Sequence, residues 1–298
     1  MKGSLMRYAS FTLSDGTPTW GVEIDERMYD LGPTGKDLAP SLSAAIEQGV
    51  FGSVTKDAAL DSPVHELSQT TYLPPILDPG KIICIGVNYH AHRIEGSKPE
   101  GAAPTIFLRF ADSQMGHEAP AVRPFSTEKY DYEGEMALVI GRGGYRISAD
   151  EAFEHVAGYS VYNDFSVRDW QLAASQWSPG KNFPSSGGFG PWLVPASDIA
   201  DVTALRLEVR VNGEVRQEAH VDQLIFDIPH LIEYVSGFTP LSPGDVIVTG
   251  TPGGVGMFQD PPRLLVDGDV VEVEITELGT LRNRVTQEPA PERTRTTV

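Results

Sequence analysis

Alternating apolar and polar positions along the chain predict a protein of mixed α/β class that is built mainly of β-strands. Residues 7–13 and 20–24 alternate as two strands around the turn "SDGTP", and residues 205–219 alternate on both sides of Asn212-Gly213, a dipeptide typical of tight hairpins. Further strands are predicted in "KIICIGV", "PTIFLRF", "EMALVIG", "YSVYND", "DVIVTG" and "DVVEVEI". Strands and helices therefore alternate through the middle of the chain, and strands dominate its second half.

Helical spacing is found in a few short segments. "DLAPSLSAAIEQGV" and "DIPHLIEYVSGF" each predict one helix. A third helix is predicted over residues 148–159, where Ser148 and Glu151 have the spacing of a capping box. A fourth is predicted to open at Ser166, with Asp169 three residues further on as a second cap-like pair.

The Pro-rich segment at residues 73–80, "LPPILDPG", has the composition of a linker, because proline continues neither a helix nor a β-ladder. We therefore predict a small N-terminal domain at residues 1–74 and a larger domain at residues 75–286. The last dozen residues, 287–298, lack apolar content and are predicted to be a disordered tail.

Composition excludes several classes of partner. The chain has 298 residues, of which 40% are hydrophobic, so it can bury a sizeable core. Its 23 Lys and Arg against 41 Asp and Glu give a formal charge of −18, which argues against binding to nucleic acid or to an anionic membrane surface. The single cysteine, Cys84, lies in an apolar run and is predicted to be a buried hydrophobe. With no signal peptide or membrane span predicted, we expect a cytoplasmic protein.

Acidic residues stand where a buried strand begins. In "DYEGEMALVIG", residues 131–141, a strand would place Glu133 and Glu135 on one face directly before the apolar run 136–140. Two carboxylates so near each other require a metal ion, a shared proton or an exposed strand end. Asp164 ends another predicted strand and could join them. Three carboxylates without Cys or His form a hard oxygen site suited to Mg²⁺ or Mn²⁺, although three unrelated solvated acids are the alternative.

Two other segments carry candidate chemistry. His92 and Glu95 are three residues apart and would share a helix face, so the carboxylate could orient the imidazole as a general base. An ordinary surface pair is the alternative. The glycine-rich segment 249–256, "TGTPGGVG", predicts either a flexible turn or a loop whose backbone amides approach a small anion. Phosphate-binding and serine-nucleophile motifs are missing from the sequence.

Taken in order, these segments resemble the fumarylacetoacetate hydrolase family. The resemblance covers roughly residues 80–285 and rests on "IGVNYHAH", "DYEGEMALVIG", "VAGYSVYNDFSVRDWQ", "GKNF", "VNGEVRQ" and "GDVIVTGTPGGVG". It implies a β-sandwich roll with a small N-terminal domain, a homodimer, and Mg²⁺ or Mn²⁺ as cofactor. It also implies roles for individual residues: Glu133, Glu135 and Asp164 as metal ligands, His92, Glu95 and Lys181 as catalytic residues, and Arg168, Gln171 and Thr251 as substrate-binding residues.

One position departs from the family pattern. Where many relatives have "FLKP", this chain has "FLRF", so that Arg109 offers a planar guanidinium in place of a lysine. We expect Arg109 to contribute to substrate binding, and the difference puts the choice of substrate in doubt.

The resemblance implies an enzyme that acts on a small anionic oxo acid. We expect a hydrolase that cleaves a carbon-carbon bond in a 1,3-diketo or 2-oxo acid of the acylpyruvate type, with the His92–Glu95 pair activating water. An isomerase or decarboxylase of 2-hydroxymuconate-type dienes from aromatic catabolism is the alternative on the same metal site. Residues 90–101 are polar and Gly-containing, and we predict that they form a lid that orders only with ligand.

Overall fold

The computed structural model describes residues 5–99 and 101–291. Within these ranges the chain forms five α-helices, which are α1 Leu42–Glu47, α2 Lys56–Leu60, α3 His90–Glu95, α4 Arg168–Gln171 and α5 Ile228–Phe238. Short 3₁₀ helices are found at Leu67–Gln69, Ala111–Ser113, Ala149–His155, Ser178–Gly180, Ala196–Asp198, Val202–Ala204, Val221–Gln223 and Gly256–Phe258. In the same described ranges, none of the helices has the length and apolar character needed to cross a bilayer.

The described ranges contain nineteen strands, and the fold is mainly β, as predicted. In chain order they are β1 Arg7–Thr12, β2 Pro18–Ile24, β3 Arg27–Asp30, β4 Val64–Glu66, β5 Thr71–Tyr72, β6 Ile82–Gly86, β7 Thr105–Arg109, β8 Gln114–Met115, β9 Ala121–Arg123, β10 Tyr130–Asp131, β11 Gly134–Ile140, β12 Val156–Asp164, β13 Ser166–Val167, β14 Gly187–Pro195, β15 Arg206–Val211, β16 Glu214–His220, β17 Val246–Val248, β18 Val270–Ile275 and β19 Gly279–Gln287.

The strands form one large sheet, one smaller sheet and an isolated pair. The large sheet has the order β4-β3-β2-β1-β14-β12-β11-β17-β6-β7, with β5 added to β1 and β8 added to β14. The smaller sheet has the order β16-β15-β18-β19-β9, and β10 pairs with β13. Because β1 pairs with β14 at Tyr8 and Leu193, the N-terminal strands continue the large sheet. The proposed domain boundary near residue 75 stays a prediction.

Strand β11 is the centre of the structure. Its apolar residues alternate between two core clusters: Met136, Leu138 and Ile140 pack with the inner residues of the smaller sheet, while Ala137 and Val139 pack in the cluster that includes β6 and α1. This period of two is the one expected for a strand buried on both faces. Glu135 lies two residues before Ala137 and therefore points to the same face.

Most predicted elements are confirmed, one helix prediction is wrong, and another helix begins two residues later than predicted. Residues 149–155 form a 3₁₀ helix, and the chain is already in strand β12 from Val156, because the alternating apolar residues from there onward pair with β11 and β14. The Ser148 hydroxyl bonds the Glu151 carboxylate at 3.0 Å and caps no backbone amide. Ser166 lies in β13, so the fourth helix begins at Arg168.

Three further sequence predictions concern the hairpin, the cysteine and the C-terminal tail. Asn212 and Gly213 have φ values of 52° and 80°, which gives the two left-handed residues that a tight β15–β16 hairpin requires. Cys84 is fully buried, as predicted. Strand β19 extends through Gln287, the first residue of the predicted disordered tail, and residues 292–298 of that tail lie outside the described residues.

Candidate active site

The structure brings the three predicted carboxylates together. Glu135 lies at the start of β11, Glu133 directly precedes this strand, and Asp164 ends β12, which runs antiparallel to β11. The Asp164 amide donates to the Glu133 carbonyl oxygen at 2.8 Å, which holds the two strand ends side by side. One carboxylate oxygen from each residue lies within 4.8 Å of the others, and all three side chains are buried.

Two of the three carboxylates are neutralised by basic side chains. The Lys181 ammonium donates to Glu133 and to Asp164, at 2.7 Å in each case. Arg168 also bonds Glu133, and Arg109 bonds Asp164. Although burial opposes ionisation, the charges of Lys181 and Arg168 lower the pKa of Glu133 below its ordinary value. Burial would lower the pKa of Lys181, but the Asp164 and Glu133 carboxylates raise it, so the lysine stays charged.

Glu135 is the carboxylate that lacks a cation. In the described ranges no Lys or Arg lies within ion-pairing distance of it, and its Oε2 accepts only the Gly250 amide, at 2.6 Å. Burial, together with the neighbouring Asp164 and Glu133 charges, raises its pKa well above the ordinary value. A divalent cation would relieve this excess of negative charge. The all-oxygen donor set therefore fits Mg²⁺ or Mn²⁺.

The predicted His92–Glu95 pair is formed on helix α3. His92 Nδ1 lies 2.7 Å from Glu95 Oε1, so Nε2 is the ring nitrogen left for the cavity that His92 lines. The second Glu95 oxygen accepts the Gly254 amide at 2.8 Å, which fixes the carboxylate on its far side. A carboxylate held in this way orients the ring and stabilises a positive charge on it.

The glycine-rich segment has a role that neither sequence interpretation included. Its backbone amides donate to the protein's own carboxylates: Gly250 to Glu135 at 2.6 Å, Gly254 to Glu95 at 2.8 Å and Gly256 to Asp131 at 2.9 Å. Gly254 has φ 104°, and a Cβ atom there would lie 2.1 Å from the Arg216 carbonyl oxygen. Glycine is therefore required for this close approach. The segment connects the carboxylate cluster to the His92–Glu95 pair.

Asp131 contacts the site, although the sequence analysis gave it no role. It is fully buried and accepts hydrogen bonds from Arg168 Nε at 2.9 Å and from the amides of Gly256 and Met257 at 2.9 and 3.0 Å. It thereby positions an arginine that contacts Glu133. Its position at the start of "DYEGE", beside Glu133 and Glu135, could have indicated a site residue. Its hydrogen-bond partners Arg168 and Gly256, however, lie 37 and 125 residues away in sequence.

Asp131→Asn is expected to lower the free energy of unfolding by about 3 kcal/mol, because it removes the charge that compensates a buried guanidinium. Urea unfolding followed by circular dichroism measures the change. Asp169→Asn is the matched control, since this exposed carboxylate accepts the Thr127 hydroxyl and its neighbour's amide and should cost less than about 1 kcal/mol. Equal losses in the two variants would contradict the assignment.

A small cavity of about 130 Å³ joins these groups. Seven of the predicted site residues line it, namely His92, Glu133, Glu135, Arg168, Gln171, Lys181 and Thr251. Arg168 donates to Gln171 Oε1 at 3.0 Å, and the Thr251 hydroxyl donates to the Gly134 carbonyl oxygen at 3.0 Å. The remaining wall includes Phe107, Trp177 and Phe258, whose apolar rings were not predicted from the sequence.

Arg109 lies outside the cavity. Its side chain is fully buried behind Asp164, donates to Ser186 Oγ at 2.6 Å, and does not line the cavity. The expected contact between Arg109 and a substrate therefore finds no support in the arrangement of these residues. The guanidinium instead donates to Asp164 Oδ1, whereas Lys181 donates to Oδ2. The lid prediction for residues 90–101 stays a prediction, and Glu100 lies outside the described residues.

The fold and the site define an enzyme-like scaffold in which two members of a buried acidic cluster and the histidine of a His–Glu pair line one cavity. The family model described as "Fumarylacetoacetate (FAA) hydrolase C-terminal" matches residues 81–286. The chain belongs to the fumarylacetoacetate hydrolase family, as its motifs predicted.

Individual relatives have different activities in their names. The chain is 40% identical to oxaloacetate tautomerase fahd2, mitochondrial, of Xenopus laevis, over 94% of this chain and 90% of the relative. A fumarylacetoacetate hydrolase from Exiguobacterium antarcticum has a similar structure, with a TM-score of 0.84, 35% identity, and coverage of 95% of this chain and 100% of that one. Maleylpyruvate hydrolase from Sphingobium sp. SYK-6, in complex with manganese(II) and pyruvate, has a TM-score of 0.79, 28% identity and coverage of 95% and 100%.

Proposed function

We propose that this protein is a divalent-metal-dependent tautomerase that interconverts the keto and enol forms of a small 2-oxo dicarboxylic acid such as oxaloacetate. The observation that carries the proposal is the arrangement of the cavity, in which Glu133 and Glu135 of the carboxylate cluster, Lys181, and His92 of the His92–Glu95 pair line one small space. The similarity over nearly the full length to a relative named oxaloacetate tautomerase supports this choice of reaction.

Glu133, Glu135 and Asp164 would hold Mg²⁺ or Mn²⁺, which supplies Lewis acidity towards the oxygens of a 2-oxo acid. The manganese and pyruvate in the complex of maleylpyruvate hydrolase support an ion and a small oxo acid of this kind. The Lys181 ammonium contributes a positive charge that favours an oxo-acid anion in a protein whose net charge is −18.

The proton transfers follow from the residues of the cavity. His92 Nε2 takes a proton from the carbon next to the keto group, and Glu95 stabilises the imidazolium through Nδ1. Lys181 stabilises the charge that develops on the keto oxygen, as a fixed donor does for an enolate. The imidazolium of His92 returns this proton to the oxygen and completes the enol, so no atom is gained or lost. The reverse sequence regenerates the keto form.

Hydrolysis of a carbon-carbon bond in an acylpyruvate is the second candidate. The His92–Glu95 pair favours it, because a neutral imidazole beside a carboxylate can also activate water. The same enolate would then leave after water attacks the distal carbonyl. Isomerisation or decarboxylation of 2-hydroxymuconate-type dienes uses the same acid–base groups without an attacking water.

The assay that tests the proposal follows the ultraviolet absorbance of enol-oxaloacetate after the protein is stripped of metal and reloaded with Mg²⁺ or Mn²⁺. We expect metal-dependent acceleration of enol decay with no change in the mass of the compound. Release of pyruvate and a carboxylic acid from an acylpyruvate would favour the hydrolase instead. Rates equal to those without protein for both compounds would contradict both reactions.

Two further proposals concern the setting of the enzyme. We propose a homodimer, on the resemblance to the family, and size-exclusion chromatography with light scattering tests it. We also propose a reducing compartment such as the cytoplasm, because the only cysteine is buried and has no partner for a disulfide.

A further inference from the structure

Gln217 is a buried polar residue that the proposed reaction does not use. It ends the motif "VNGEVRQ", which helped to identify the family but supplied no site residue. It lies in β16, the strand at one end of the smaller sheet, and it is only 1% exposed. Burying an amide is costly unless its donors and its acceptor find partners, so the partners of Gln217 indicate its role.

The Gln217 amide bridges two segments of the site. Its Oε1 accepts the Gly134 amide at 3.0 Å, and its Nε2 donates to Thr251 Oγ1 and to the Pro252 carbonyl oxygen, at 2.8 Å each. These partners fix the orientation of the side-chain amide, because the Gly134 N–H can only donate and the Pro252 carbonyl can only accept. Gln217 therefore connects the start of β11 to the glycine-rich segment.

Gly134 is the residue between the two glutamates of the carboxylate cluster. It must be glycine, because a Cβ atom there would lie 2.2 Å from Val209 Cγ2 in the smaller sheet. Since glycine has more backbone freedom than any other residue, hydrogen bonds have to restrict the backbone that joins the two glutamates. Gln217 binds the amide of Gly134, and the Thr251 hydroxyl binds its carbonyl oxygen at 3.0 Å.

The same bridge fixes Thr251, which lines the cavity. Its hydroxyl accepts from Gln217 and donates to Gly134, so its single hydrogen is already used. The preceding residue, Gly250, donates its amide to Glu135 at 2.6 Å. One connected set of hydrogen bonds thus holds this part of the cavity wall against the carboxylate cluster, and Gln217 is its anchor in the smaller sheet.

We propose that Gln217 is a positioning residue of the metal site, which holds the two glutamates and the glycine-rich segment in the arrangement that binds the cation. The inference rests on the proposed function, because it takes the carboxylate cluster to be the metal site. Gln217 is not among the residues that line the cavity, and it acts through the Gly134 backbone and Thr251. The loss of such a partner behind the ligands weakens metal binding.

Gln217→Leu in the full chain tests the proposal. Leucine keeps the position apolar and filled but leaves the Gly134 amide and the Pro252 carbonyl without their side-chain partner. Isothermal titration of the metal-free protein with Mn²⁺ should give an affinity about tenfold below that of the wild type. Urea denaturation should show a lower free energy of unfolding as well, because buried polar groups lose their hydrogen bonds.

Asn283→Leu is the matched control. Asn283 lies in β19 of the same sheet, is equally buried, and donates to the carbonyl oxygens of Gly116 and Ala119 at 3.0 and 2.8 Å. Neither of these partners lines the cavity. The substitution should therefore destabilise the protein in the same way but keep the wild-type affinity for Mn²⁺. Equal falls in affinity in the two variants would overturn the proposal, because lost stability alone would then explain the effect.

Circular dichroism verifies that each variant is folded before it is titrated. If Gln217→Leu does not fold, Gln217→Asn takes its place, because the side chain stays polar but is one methylene too short to bridge both segments. The same fall of about tenfold is expected. Wild-type affinity for Mn²⁺ in the folded Gln217 variant would overturn its positioning role and leave the proposed metal site intact. Absence of Mn²⁺ binding to the wild type would overturn the proposed function, and with it this inference.

Discussion

Glu135→Gln is expected to lower the metal-dependent turnover of the protein more than about 100-fold, the largest loss among the substitutions considered. Among the described residues, Glu135 is the carboxylate of the cluster that has no basic partner, and its Oε2 already accepts the Gly250 amide. An amide side chain keeps the size but supplies no negative charge to a cation. The affinity for Mn²⁺ should therefore fall together with the activity, and calorimetric titration of Mn²⁺ measures it independently of turnover.

The same substitution distinguishes an effect on metal binding from an effect on the stability of the metal-free protein. Without metal, Glu135→Gln removes repulsion among three buried carboxylates, so the free energy of unfolding should be unchanged or higher. The additional stability that Mn²⁺ confers on the wild type should be lost, because ligand binding stabilises only a fold that binds the ligand. Glu128→Gln, an exposed site seven residues earlier, is the control. Wild-type Mn²⁺ affinity in Glu135→Gln would show that the cluster is not a metal site.

His92→Ala is expected to reduce turnover by about 10²–10⁴-fold while the affinity for Mn²⁺ stays within about twofold of the wild type. The imidazole lines the cavity but belongs to helix α3 and not to the carboxylate cluster. The loss should appear in kcat, because the proton transfer is made in the transition state and adds little to binding of the ground state.

Two variants of neighbouring residues serve as comparisons for His92→Ala. His90→Ala changes an exposed histidine on the same helix and should leave turnover unchanged. Glu95→Gln should lower kcat less than His92→Ala does, because the imidazole remains. Glutamine has a single acceptor oxygen, so it can keep either the Gly254 amide or the His92 Nδ1–H as a donor but not both, and it cannot stabilise an imidazolium by charge. Unchanged kcat in His92→Ala would exclude the ring as the general base for tautomerisation and for hydrolysis alike.

Local spacing made parts of the site predictable. Glu133 and Glu135 are two residues apart at the start of a strand, and His92 and Glu95 are three apart on a helix, so backbone geometry alone brings the members of each pair together. The order of motifs along the chain identified the family, and the predicted residue roles followed from it. The β15–β16 hairpin was predictable for the same local reason.

The helix error has a physical cause that is not local. Residues 148–151 have the composition of a capping box, but the 3₁₀ helix at Ala149–His155 leads directly into β12, whose pairing with β11 and β14 buries its side chains on both faces. The free energy of that burial exceeds the few tenths to one kcal/mol that a cap contributes. Tertiary pairing therefore overrides the local helix signal.

By itself, the sequence determined the mainly β class and the family, and it predicted which residues would supply the acidic and acid–base groups. Only the tertiary structure decided which groups meet: the antiparallel register of β11 and β12 sets Asp164 beside Glu133, and the glycine-rich segment donates amides to Glu135, Glu95 and Asp131. It also decided that Arg109 lies behind Asp164 and not in the cavity. The reason is that these partners are separated by tens to more than a hundred residues, so their contacts depend on sheet pairing and burial across the whole chain and not on local spacing.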